Sequence, residues 1–395
     1  MIGQTILAFS ISSLAFTGLA ATPEPHTAPN LFADYLGKTQ SEVDAKVDGA
    51  FQQLFYGDEM TERLYYPVEG DMAYIWDVAS DDVRSEGMSY GMMVAVQLDK
   101  KQEFDRLWKW SYTYMRLDSG PFEGYFNWQN ATDGTKLAPG SAPDGEEWFA
   151  TALYFAANRW GNGQGIYDYQ RQADDILRHM LHKQSTEKTL PIIDREYNQV
   201  RFVPWQDWDG VTDASYHLPA FYEIWAKQAS ADNDFWAAMA DHSRAFFKEV
   251  AHPDTGLMPD YSYYKETDRE IGDHKDFRFD AWRVMSNVAL DHAWWGEDPQ
   301  WQVMQSNRIL SFLSQFEPNI PNQFSVDGTP LDRTSSPGLY AMAASAALAA
   351  DREIGEPFVE RLWETDTPSG HWRYYDGIIY MLGLLQVSGN FQVIE

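Results

Sequence analysis

The chain of 395 residues contains no cysteine, which excludes both a disulfide framework and a thiolate-ligated metal site and leaves stability to packing. Positive charge is scarce as well: 30 Lys and Arg stand against 59 Asp and Glu, a formal net charge of −29. Nucleic acid, phosphate-rich ligands and anionic membranes are therefore poor partners. The 9 His show no spacing such as His-Glu-x-x-His, so neither a metal nor another cofactor is expected. Three further absences bear on the fold. Between the helical patterns there are no convincing parallel-strand runs, no repeat of fixed length, and no Pro-, Gly- or Ser-rich linker in mid-chain. They argue against a doubly wound sheet, a solenoid and a two-domain chain.

Charge is also missing from residues 2–20, where an apolar stretch from Ile6 to Phe16 ends at Gly18-Leu19-Ala20. This resembles a secretory signal peptide cleaved after Ala20, and it is too short and too rich in Ser to span a membrane comfortably. The expectation is a leader over 1–20 and one compact domain over 21–395. The mature chain is expected in the periplasm or the medium, as a monomer without membrane attachment.

What the chain has in abundance is aromatic surface: 16 Trp, 22 Tyr and 22 Phe, 15% of all residues. Many of these rings belong in a core, but ring surface in this quantity also suits stacking on flat, partly apolar ligands such as sugars. Apolar periodicity predicts helices over 41–55, 86–99, 101–117, 144–160, 166–184, 213–228, 232–251, 276–293, 298–316, 337–350, 354–364 and 372–388. Short extended pieces are expected at 64–67 and 72–76. Twelve helices in consecutive hairpins fit an all-α fold, an (α/α)6 barrel with an inner and an outer ring. The apolar stretches 337–350 and 376–386 belong to the inner ring, and the charged helices 166–184 and 232–251 to the outer one.

Three carboxylate settings stand out. In Arg84-Ser85-Glu86-Gly87-Met88-Ser89-Tyr90-Gly91-Met92-Met93, helical spacing puts Glu86 on one face with Ser89, Tyr90 and Met93. That face is half apolar, and partial desolvation raises a Glu pKa toward the range a general acid needs. A first-turn Glu favoured by the helix dipole is the ordinary alternative. In Ala142-Pro143-Asp144-Gly145-Glu146-Glu147-Trp148, Asp144 occupies an expected N-cap position. In His274-Lys275-Asp276-Phe277-Arg278-Phe279-Asp280-Ala281-Trp282-Arg283, Arg283 lies three residues after Asp280. There it can hold the carboxylate ionised, as a base requires, although the same spacing is common in surface pairs. Carboxylates at helix starts in an aromatic-rich all-α chain point to glycosidic bond hydrolysis, which needs one protonated and one ionised carboxyl and no cofactor.

At this point the chain resembles glycoside hydrolase family 8, over essentially all of the mature sequence. The carriers are the Glu86 stretch, Pro143-Asp144-Gly145-Glu146-Glu147-Trp148-Phe149-Ala150, Tyr216-His217-Leu218-Pro219-Ala220-Phe221-Tyr222, Phe279-Asp280-Ala281-Trp282-Arg283-Val284 and Arg373-Tyr374-Tyr375-Asp376-Gly377. The resemblance implies an (α/α)6 barrel acting on β-1,4 glycans with inversion. It implies Glu86 as general acid and Asp280 as general base. Asp144 would bind and help distort the sugar at the cleavage point, Tyr216 would hold the attacking water, and Arg283 would orient the base. Tyr90, Trp128, Trp205, Tyr374 and Tyr375 are candidate sugar platforms. The pattern is most similar to the xylan-active branch, and within it to reducing-end xylose-releasing exo-oligoxylanases, with xylo-oligosaccharides or xylan as partners. One departure is Ser335-Ser336-Pro337, where those exo-enzymes typically carry Leu-His-Pro to block the cleft; an endo-xylanase is the alternative. From other classes, a non-catalytic glycan-binding protein predicts binding without turnover. A polysaccharide lyase acts on uronates, for which the net charge is unfavourable. The acidic pairs Asp81-Asp82 and Asp174-Asp175 lack the surrounding metal-binding pattern of a terpene cyclase.

Overall fold

In a computed structural model, residues 28–265 and 271–395 are described; the expected leader lies outside them. They form thirteen α-helices: α1 (Leu31–Leu36), α2 (Gln40–Tyr56), α3 (Ser85–Gln97), α4 (Lys101–Trp110), α5 (Pro143–Trp160), α6 (Tyr169–His182), α7 (Pro219–Gln228), α8 (Asn233–Val250), α9 (Arg283–Trp294), α10 (Pro299–Leu313), α11 (Pro337–Ala346), α12 (Arg352–Glu364) and α13 (Arg373–Val387). Helices α3, α5, α7, α9, α11 and α13 each pack on the next, and α13 returns to α3, so the six close into a ring. Outside it α4, α6, α8, α10, α12 and α2 each lie against the ring, on α3, α5, α7, α9, α11 and α13 respectively, with α10 also touching α11. This is the expected (α/α)6 barrel.

The two rings differ as the sequence dictates. Every residue of α11 after its first is buried, and α3 is buried from Gly87 to Gln97. Helices α6 and α8 instead bury one stripe: Tyr169, Ala173, Ile176, Leu177 and Met180 in α6, and Trp236, Met239, Ala240, Phe246 and Phe247 in α8. Burying an apolar side chain of this size contributes about 1.5–3 kcal/mol each, so ring closure follows from covering these stripes.

Several boundaries depart from periodicity. Helix α2 starts at Gln40, one residue before the expected 41, because Thr39 as N-cap and Glu42 form a reciprocal capping box. Six-residue α1 is too short to show a period, and its ends come from the Asn30 cap and from Gly37 at φ 66°. The 101–117 pattern is α-helical only to Trp110 and continues as a π turn over Ser111–Met115. Two expected helices begin late. Residues Val211–Asp213 form a strand and Ala214–Tyr216 a 3-10 turn before Pro219 opens α7. Residues Phe279–Trp282 form a 3-10 turn before α9. Short antiparallel pieces connect the helices, including Tyr65–Val68 with Met72–Ile75, as expected, and Val211–Asp213 with Tyr261–Tyr263. None of the helices described is long and apolar enough to cross a membrane.

Candidate active site

The site forms where the starts of α3, α5, α9 and α13 converge. Glu86 is in the first turn of α3 and Asp144 in the first turn of α5, behind Ala142 as N-cap and Pro143. Asp144 is thus not the capping residue its spacing suggests. Pro143 takes the first helical position, where its missing N–H costs nothing, and this moves Asp144 inside the helix. Asp280 sits in the 3-10 turn directly ahead of α9, whose first residue is Arg283.

One guanidinium gathers all three carboxyls. Arg283 Nη1 lies 3.0 Å from Glu86 Oε2 and 3.1 Å from Asp144 Oδ2, and Nη2 lies 3.1 Å from Asp280 Oδ1. Nη1 also meets the Tyr90 hydroxyl, and Nη2 donates to Ser215 Oγ at 2.9 Å. The Arg283 side chain is only 5% exposed. A buried cation with partners on both terminal nitrogens has one available orientation, and it fixes theirs in turn.

Two glycines make the approach possible. A Cβ on Gly87 would stand 2.6 Å from the Tyr374 ring, and one on Gly145 would stand 2.6 Å from Ser85 Oγ. With hydrogen in those places Tyr374 packs against α3 and donates its hydroxyl to Glu86 Oε1 at 3.0 Å, while the starts of α3 and α5 touch. The Glu-Gly and Asp-Gly pairs in the sequence are therefore packing requirements of the site.

Electrostatics divide the carboxyls. Burial raises the pKa of Glu86, with Asp280 adding to it, while Arg283, Arg84 and the Tyr374 hydroxyl pull it back. Burial raises Asp144 to about 7 against the pull of Arg283. Asp280 keeps its side chain 30% exposed and pairs with Arg283 at 3.1 Å. A proton-bearing Glu facing an ionised Asp is the pairing that acid–base cleavage needs.

The other expected residues fall into two groups. Tyr216 is buried with its ring 5.9 Å from the Arg283 guanidinium, and burial together with Asp144, Asp213 and Asp280 keeps its hydroxyl protonated. Tyr375 donates to the Phe279 carbonyl at 2.9 Å and lies 3.5 Å from Asp280 Oδ1. Trp128 is half-buried; its carbonyl accepts from Ser85 N at 3.0 Å, and its ring lies 5.9 Å from the Arg84 guanidinium. Trp205 is half-buried and stands further out, its ring edge-on to Phe122 at 4.5 Å and over Gly140. Tyr90 and Tyr374 are not open platforms as expected. They are 1% and 2% exposed, because their hydroxyls are drawn in to Arg283 and Glu86 and their rings fill the space between helices.

Sequence reasoning missed four residues here. Ser215 holds Arg283, and Asp213 and Asp260 stand near Asp280, with one carboxylate oxygen of each of the three within 4.8 Å of the others. His274, in the stretch already singled out, reaches Asp260 at 2.7 Å. Asp213 falls at the start of an expected helix but ends a strand, and a buried acid in a short strand shows no period. Nor did local spacing reveal the three-carboxylate grouping, the one arrangement among the described residues able to hold a metal ion.

The family model "Glycosyl hydrolases family 8" matches residues 69–389. The reducing-end xylose-releasing exo-oligoxylanase Rex8A of Paenibacillus barcinonensis is 46% identical over 373 residues, 93% of this chain and 97% of that one. A reducing end xylose-releasing exo-oligoxylanase of Halalkalibacterium halodurans is 38% identical over 369 residues, 92% and 94% of the two chains. Among solved structures, a GH8 xylobiose complex from Teredinibacter turnerae superposes with a TM-score of 0.90 at 45% identity, covering 93% of this chain and 98% of that one.

Proposed function

The chain belongs to the glycosyl hydrolases of family 8, and from that premise we propose that it hydrolyses β-1,4-xylosidic bonds in xylo-oligosaccharides by inversion, releasing xylose from the reducing end. The observation that carries the reading is the single Arg283 guanidinium holding Glu86, Asp144 and Asp280 together. Glu86 protonates the departing glycosidic oxygen. Asp280 takes a proton from a water that attacks the opposite face of the sugar, with the Tyr216 hydroxyl holding that water. Asp144 binds the sugar at the cleavage point, and Trp128 and Trp205 offer partly open rings along the cleft. Contacts of 3.0 and 3.1 Å on the two sides of the guanidinium, whose terminal nitrogens are about 2.3 Å apart, keep the Glu86 and Asp280 oxygens within roughly 8.5 Å. That upper bound admits the ~6.5–9.5 Å of an inverting pair and the ~5–5.5 Å of a retaining one alike, so the anomer first formed decides between them. The reading also takes 1–20 as a leader, 21–395 as the catalytic domain, and an exported monomer.

The endo alternative has one observation in its favour. Ser335-Ser336-Pro337 leads into α11 with Ser335 exposed and Ser336 half-buried, its hydroxyl accepting from Asn322 Nδ2 at 2.8 Å. Two serines fill far less of a cleft than Leu and His. A product time course on xylohexaose labelled at its reducing end decides: labelled xylose appears first under the exo reading, and mixed internal products appear first under the endo reading. Binding without release of reducing sugar would refute both.

A further inference from the structure

Asp280 keeps company with two carboxyls that the reaction just described does not use. Asp213 ends the strand Val211–Asp213, and Asp260 precedes the strand Tyr261–Tyr263; the two strands pair antiparallel with Asp213 opposite Tyr261. That ladder brings Asp213 and Asp260 side by side and sets both against the 3-10 turn carrying Asp280. Asp213 is completely buried. Its Oδ1 accepts from Ser215 N at 2.7 Å, while Oδ2 has no partner among the described residues. Asp260 is 4% exposed; its Oδ2 faces His274 Nδ1 at 2.7 Å, and its Oδ1 is also buried and unpartnered.

Among the described residues, the cations seen against the cluster are committed elsewhere as well. Arg283 is shared with Glu86 and Asp144, and Arg278 is paired to Asp276 at 2.9 Å. His274 faces Asp260, and the Tyr216 and Tyr261 hydroxyls are held protonated by burial and the acids around them. Three ionised carboxyls this close, with little water, repel strongly. Asp213 Oδ2 and Asp260 Oδ1 are both buried and unpartnered, but Asp260 has the His274 ring at its other oxygen and Asp213 only a backbone N–H, so Asp213 loses most by ionising and holds the proton.

We propose that Asp213 is a positioning residue: it remains a neutral carboxylic acid and donates its hydrogen into the cluster toward Asp280, leaving Asp280 as the ionised carboxylate that takes the proton of water. No proton is lost from Asp213 during turnover; its hydrogen bond fixes the rotamer of the base and favours its charged form. Burial and the neighbouring Asp280 push the Asp213 carboxyl well above the ordinary aspartate range, in keeping with this.

The inference rests on Asp280 as the base, and the test separates the two. The measurement is the pH profile of kcat on xylo-oligosaccharides for the full chain carrying Asp213→Asn, Asp213→Ala or Asp280→Asn. Asparagine offers the same acceptor to Ser215 N and a weaker donor to the cluster. Its acid limb should stay within about 0.3 pH unit of the parent while kcat falls roughly 3–10-fold. Alanine removes the donor, so kcat should fall about 30-fold or more and the acid limb should rise by about one unit, with KM within about twofold. An acid limb in Asp213→Asn lowered by about one unit or more would mean that a charge had been removed, and would overturn the proposal. Wild-type kcat in Asp213→Ala would overturn it as well. So would inhibition of the parent by millimolar manganese chloride that Asp213→Asn escapes, since the cluster would then be a cation site. If Asp213→Ala does not fold, the acid limb of Asp213→Asn decides. Retained activity in Asp280→Asn overturns the base assignment and this inference together, whereas a shifted limb in Asp213→Asn overturns the inference alone.

Discussion

Arg283 shows how much of the site a single side chain can organise. It holds Glu86 and Asp144 across 197 and 139 positions of sequence, so its loss would leave three buried or half-buried acids without their counter-charge. Replacing Glu86 by Gln or Asp280 by Asn keeps shape and removes proton transfer. Each should lower turnover by about 10²–10⁴-fold, measured on xylo-oligosaccharides, with the far-ultraviolet circular dichroism unchanged. Asp144→Asn distinguishes two roles. If Asp144 helps distort the central sugar, kcat should fall more than KM rises, because interactions that strengthen in the transition state are lost from kcat. A pure rise in KM would leave it an ordinary binding contact. The Asp280–Arg283 pair was legible because three-residue spacing brings such side chains together. The reach of Arg283 to Glu86 and Asp144 was not, since no local pattern encodes contacts across the ring; the family resemblance supplied that grouping instead.

Among the elements, the junctions matter more than the helices. Periodicity located twelve helices because each inner or outer stripe repeats with the helical turn. It misplaced the starts of α7 and α9, where apolar residues continue through segments that are not α-helical. Phe279 takes a positive φ of 28°, a conformation a bulky residue seldom adopts, and this separates the 3-10 turn from the preceding chain and leaves Asp280 outside α9. The contact of α3 with α13 offers a test at this scale. Gly87→Ala would put a methyl group into the Tyr374 ring; overpacking of this kind costs about 1–3 kcal/mol. Tyr374 would have to withdraw from Glu86. The expected outcome is a lower thermal midpoint together with reduced kcat, read by calorimetry and initial rates; a variant with parental values for both would contradict the packing role.

At the scale of the molecule, the acidic composition and the buried acids act in one direction. Burial raises Asp376 to about 6, Asp144 to about 7 and Glu146 to about 8. A carboxyl whose pKa is higher folded than unfolded holds its proton more tightly in the folded chain. Its contribution is complete below the unfolded value near 4 and is lost as pH rises through the folded value. The thermal midpoint should therefore fall between about pH 5 and pH 8, and Glu146→Gln should flatten that slope; a midpoint that rises over this range would refute the burial argument. Barrel closure itself was legible from twelve alternating helical stripes, whereas the Asp213–Asp260–Asp280 grouping depends on a strand pairing that three-residue segments do not announce. The central claim is that Glu86 and Asp280 work from opposite sides of the bond with water between them. Proton NMR of the newly formed reducing end during hydrolysis of a β-1,4-xylo-oligosaccharide tests it most directly: the α-anomer should accumulate first and relax to the equilibrium mixture, and first appearance of the β-anomer would contradict the account.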